Sequence, residues 1–154
     1  MGVDPGSPTA SPVLTLDPLA QAVATARRFV REALPSLDGE DMTENAELVV
    51  SELVTNATLH ARTSMTITLA RMPSGRVRIS VRDHSTVVPQ PRVYGLTATT
   101  GRGLRLVDAV SIAWGVDRVP PEHGAGKILW CEPAPDASAV EANDEWGDVI
   151  AELA

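Results

Sequence analysis

Three stretches of this 154-residue chain hold side chains that can do chemistry. Glu52, Asn56 and His60 follow one another at i, i+4 and i+8. On a helix, residues so spaced stack along one line. Asp83 ends an alternating apolar run, just before an aperiodic stretch, HSTVVPQPRVYGLTATT. Gly101-Arg102-Gly103-Leu104 closes that stretch and leads into a second apolar run. Singly, each has a plain explanation. A Glu and an Asn one turn apart can bond to a loop, Asp83 can cap a strand end, and two glycines can simply make a turn. His60 reads as a structural or surface histidine, and Lys127 as a solvated strand residue.

Together they imply more. A glycine turn feeding a helix N-terminus offers free N–H groups and a positive dipole end, which suits phosphate. An asparagine oxygen near phosphates suits Mg²⁺, a hard cation that keeps several waters. A glutamate one turn earlier on the same line can take a proton from an attacking hydroxyl or water. An aspartate across the cleft can accept a hydrogen bond from an exocyclic amine such as adenine N6. The aperiodic stretch between them suits a lid that orders over a nucleotide.

These residues need a scaffold, and the hydrophobic pattern supplies one. Asp41 to Ala61 reads as one long helix. Met42, Ala46, Val49, Val50, Leu53, Val54 and Ala57 form its apolar face. Glu52 and Asn56 fall at the edge of that face, where a buried polar group is costly unless something satisfies it. Val13–Leu16 is a short strand candidate. Asp17-Pro18 predicts a helix start, with Leu19, Val23, Ala26, Val30 and Leu34 as the core face. Met65–Arg71 and Arg76–Asp83 alternate around Pro73-Ser74-Gly75 and predict a β-hairpin. A short helix after Gly103 and strands at Ile112–Val116 and Lys127–Glu132 follow. The expected fold is α+β: a two-layer sandwich with a mixed, mostly antiparallel sheet covered on one face by helices.

Composition narrows the class. The apolar content is that of a globular protein, and no run is long enough to span a bilayer. Residues 1–12 read as a disordered, Pro- and Gly-rich N-terminus, and 13–132 as the domain. Residues 133–154 read as an acidic tail with a weak helical stripe of Trp146, Val149, Ile150 and Leu153. Seven of the 20 acids lie from Glu132 onward, leaving 13 against all 13 basic residues, so the net charge of −7 belongs to the tail. No basic stripe or aromatic platform argues for direct nucleic-acid binding. Cys131 is the only cysteine, which excludes an internal disulfide, and a cytoplasmic location is expected.

SELVTNATLHA, VRDHS and TGRGLRLV, in this order, resemble the N, G1 and G2 boxes of the GHKL ATPase/kinase superfamily, the Bergerat fold. Within it the chain is most similar to small anti-sigma-factor serine/threonine kinases of actinobacterial type, over roughly Val13 to Glu132. The resemblance implies ATP and Mg²⁺ as cofactors. It implies Glu52 as catalytic base, Asn56 as Mg²⁺ ligand and Asp83 as the adenine-binding acid. Ser85, Gly101, Arg102, Gly103 and Leu104 would complete the nucleotide contacts. It also implies a sigma factor and a STAS-type antagonist as partners, and a homodimer. One departure stands out: the usual Asp-x-Gly is Asp83-His84-Ser85 here. That departure motivates an alternative, a non-catalytic regulatory module that sequesters a partner with weak or no ATP binding. With no sensor helices and no transducer domain in view, a sensor kinase and a larger ATPase assembly are less expected.

Overall fold

The computed structural model describes residues 11–86 and 100–137, with the backbone alone for 100–104. The expected lid from 87 to 99 and the tail stripe lie outside the described residues.

Five strands form one sheet in the order β1-β2-β3-β5-β4. They are β1 (Val13–Leu16), β2 (Met65–Arg71), β3 (Val77–Asp83), β4 (Ser111–Val119) and β5 (Gly126–Pro133). The sheet, mostly antiparallel in expectation, is antiparallel at every described pairing. Alternation decides its two faces. Met65, Ile67 and Leu69, then Val77, Ile79 and Val81, then Leu129 and Cys131 point into the core, and all are buried.

The helices are α1 (Ala22–Ala33), α2 (Thr43–Asn56) and α3 (Thr100–Val110). Helix α2 is the hub: it packs on α1, on α3, and on β3 and β5. Its expected apolar face is the observed one, with Ala46, Val49, Val50, Leu53, Val54 and Ala57 buried and Met42 partly so.

Helix α1 starts later than the sequence predicts. Asp17 does not cap it. The Asp17 and Leu19 carbonyls instead accept the Leu19 and Ala22 N–H groups in a turn, and Leu19 is left 50% exposed. The small residues Ala22, Ala26 and Ala33, with Val30, form the buried stripe. Strand β4 also runs past the expected Val116 to Val119, because its pairing with β5 continues to Val119↔Gly126.

The N-terminus of α2 is capped from far along the chain. Met42, at its N-cap position, provides no side-chain cap. The Asp136 carboxylate accepts the Glu44 N–H (3.0 Å) and the Asn45 N–H (2.8 Å). The Asn45 side chain donates to the Ala134 and Pro135 carbonyls, and the Asp136 N–H donates to the Asp41 carbonyl. No helix among the described residues is long and apolar enough to cross a membrane.

Candidate functional site

Glu52 and Asn56 lie half-buried on the last turns of α2, at the edge of its core-facing arc. Burial alone pushes the Glu52 carboxyl above its ordinary value of 4.5. The shift comes from desolvation, which disfavours the charged form, and a carboxyl raised in this way is a stronger proton acceptor than a solvated one. Asn56 is the last α-helical residue. A π-helical turn, Ala57–Ala61, follows and ends at Arg62, whose N–H donates to the Ala57 carbonyl across the wider ring. Such turns are rare and recur at functional sites. His60 lies on this turn and is exposed, as expected.

Asp83 ends β3 and is fully buried (0% exposed). Two contacts fix the chain just after it. The Ser85 N–H donates to Asp83 Oδ1 at 2.9 Å, and the His84 N–H donates to Thr63 Oγ1 at 3.0 Å. Thr63 sits just past the π-helical turn, so this bond ties the Asp83 corner to the end of the Asn56 helix.

Lys127 overturns its expectation as a solvated residue. It stands opposite Asp83 in the β3–β5 register, is only 3% exposed, and places Nζ 2.9 Å from Oδ2 and 3.1 Å from Oδ1 of Asp83. The preceding residue, Gly126, has φ +115°, and a Cβ there would meet the Asp83 carbonyl oxygen at 2.1 Å. Only glycine permits this approach of β5 to the strand end.

Gly101, Arg102, Gly103 and Leu104 form the first turn of α3, whose backbone is helical from Thr100; their side chains lie outside the described residues. Arg105 is exposed, and Val107 and Val110 seat the helix in the core. The three candidate stretches therefore ride on elements joined through α2, which touches β3 on one side and α3 on another.

Sequence reasoning missed Lys127, Thr63 and Asp136. For Lys127 a signal existed: it has the same parity as Leu129 and Cys131, which alternation sends inward. Among the described residues no group of three or more His, Cys, Asp or Glu gathers as a metal cage.

This fold and site define a class. The chain belongs to the histidine kinase-like ATPase domain family, whose family model matches residues 16–130. It is 39% identical over 74 residues to an uncharacterized protein of Streptomyces coelicolor, a match covering 47% of this chain and 67% of that one. The histidine kinase domain of a blue-light activated histidine kinase from Erythrobacter litoralis is similar at 21% identity with a TM-score of 0.46. That match covers 84% of this chain and 64% of the other's length.

Proposed function

We propose that the chain is an ATP- and Mg²⁺-binding protein serine/threonine kinase of the anti-sigma-factor type. The observation that carries this reading is Glu52: a half-buried carboxyl held above its ordinary pKa, one turn before Asn56, on the helix that contacts both β3 and α3. Membership of an ATPase domain family supports the nucleotide. The residues fit the implied groups. Asp83 is a buried carboxylate at the end of β3, held 2.9 Å from the Lys127 ammonium. Asn56 is a neutral oxygen ligand, suited to a magnesium ion that brings waters and phosphate oxygens with it. When bound, the ion neutralises phosphate charge.

The chain's own residues do the rest. Glu52 accepts the proton of the attacking serine or threonine hydroxyl. Asp83 anchors the base, and the N–H groups of the first α3 turn face phosphate. The substrate in this reading is a STAS-type antagonist, and the sequestered partner is a sigma factor bound by a homodimer in the cytoplasm. The test is transfer of labelled phosphate from ATP to candidate STAS-domain antagonists. Glu52→Gln should abolish transfer, and equal transfer by wild type and variant would refute Glu52 as base.

A second reading, a non-catalytic regulatory module, is favoured by the closed state of Asp83. It is sealed from solvent, already paired with Lys127, and followed by Ser85 where the related box has glycine. Partner affinity with no nucleotide binding in calorimetry would select this reading.

A further inference from the structure

The helices pack on one face of the sheet, and the opposite face carries a pattern of its own. Strand alternation sends Arg78 and Arg82 of β3, and Ile128, Trp130 and Glu132 of β5, to the side away from the buried core. Trp130 lies flat against Gly115 of β4, where a Cβ would meet its ring at 2.8 Å. The Arg78 guanidinium stacks on the indole, 3.9 Å from the ring centroid. Arg78 also reaches Glu132 at 3.2 Å, and Arg76 stands 3.9 Å from the same carboxylate. Two rows result: arginines at 76, 78 and 82 along β3, and Ile128 with Trp130 beside them on β5. Against the three arginines stand Glu132 and, at the β4 rim, Asp117. Arg78 Nε, Arg82 Nε and Trp130 Nε1 find no acceptor among the described residues. Arg78, Arg82, Ile128 and Trp130 are all partly exposed.

The end of the sequence carries the complementary pattern. On a helix, Glu141, Glu145, Asp148 and Glu152 recur at i, i+4, i+7 and i+11 and share one line. Trp146, Val149, Ile150 and Leu153 fall on the neighbouring arc. That acid line would be about 16 Å long. The arginine row from 76 to 82 is about 20 Å long. We propose that residues 139–153 form an amphipathic helix that docks on the open face of the sheet. Its acids lie along Arg76, Arg78 and Arg82, and its apolar arc rests on Ile128 and Trp130. The course of the chain brings the tail to this place. Strand β5 is antiparallel to β3, so Pro133 lies at the end of the sheet where Arg76 and Arg78 stand. Asp136 pins the chain there by capping α2. Glu132, the first acid of the tail, already meets both arginines. The four residues from Ala137 to Glu141 reach up to about 14 Å, enough to round the end of the sheet. The tether supplies an effective concentration on the order of 1 mM, so contacts weak in isolation suffice. Helix α1 also exposes Arg27, Arg28 and Arg31, but Arg31 is already paired with Glu47. Docking of the tail needs no nucleotide.

The test uses the full chain with a nitroxide spin label on Ala151→Cys, a position that a helix would turn away from both the acid line and the apolar arc. Cys131 is buried and does not compete for the label. In NMR spectra the label should broaden the amide signals of Arg78, Ser80 and Arg82 and the indole signal of Trp130. The broadening should weaken at about 1 M salt, where charges are screened within about 3 Å. It should be lost when Glu141→Gln, Glu145→Gln, Asp148→Asn and Glu152→Gln are combined in the labelled chain. These changes lie outside the core, so the domain stays folded and its other signals serve as the control. Unchanged signals on the open face would overturn the inference. So would broadening confined to Arg27, Arg28 and Arg31, or broadening that survives neutralisation of the four acids. A mixture of spin-labelled chain with unlabelled isotope-enriched chain checks the remaining occupant: broadening there equal to that within one chain would assign the face to the tail of a second copy and overturn docking within the chain.

Discussion

Asp136→Ala removes the cap that the end of the described chain lends to α2. The carboxylate is 6% exposed and accepts two N–H groups, from Glu44 and Asn45. Loss of an N-cap side chain costs about 0.5–2 kcal/mol. Hydrogen bonds to a charged group are worth roughly 1.5–3 kcal/mol where the abandoned donors stay dry. The first turn of α2 is only partly buried, so water recovers part of that loss. Together these give about 2 kcal/mol, or roughly a 6 °C fall in Tm for a domain of this size. In urea the midpoint should fall by about 1 M with an unchanged slope. Asp136→Asn keeps one acceptor and should lose about half as much. Asp117→Ala, at an exposed position on β4, serves as control and should stay within about 0.5 kcal/mol of wild type. If Asp136→Ala unfolded at the same urea concentration as Asp117→Ala, Asp136 would contribute nothing to α2 and the reasoning would fail.

Other outcomes follow from single residues. Glu52 has a folded-state pKa above its unfolded value, so its ionised form costs stability. That cost is absent below the unfolded value, near 4.5, and grows as pH rises through the raised one. Glu52→Gln should therefore be more stable than wild type at about pH 7, with the gap closing at about pH 4; a gap that widens on acidification would contradict this. Cys131 is buried and its thiol is pushed far up by that burial, so a thiol reagent should label it only in denaturant. Rapid labelling of folded protein would show an opening at β5. Gly126→Ala forces a Cβ against the Asp83 carbonyl and should cost about 3 kcal/mol or more in a denaturant melt; a wild-type melt would mean that β5 can move away freely.

Much of the fold was legible because its elements obey one period each. The apolar face of α2 and the alternation of β2 and β3 stand in the sequence as they stand in the structure. Two kinds of feature were not legible. The start of α1 is delayed by a local turn, in which the Asp17 and Leu19 carbonyls accept the Leu19 and Ala22 N–H groups, so the Asp17-Pro18 signal marks a turn and not the first helical residue. Asp136 caps α2 from some ninety residues away, and no local pattern announces such a contact. In the candidate site, Glu52, Asn56 and Asp83 were visible by type and spacing. Lys127 was misread because its charge outweighed its inward parity. The π-helical turn after Asn56 leaves no mark in a pattern read at 3.6 residues per turn.

The most direct measurement is a calorimetric titration of ATP into wild type and Asn56→Ala, each with and without Mg²⁺. Wild type should bind ATP more tightly when Mg²⁺ is present, and Asn56→Ala should lose that gain while keeping its fold. Identical titrations for the two proteins under both conditions would contradict the assignment of Asn56, and with it the magnesium–nucleotide site.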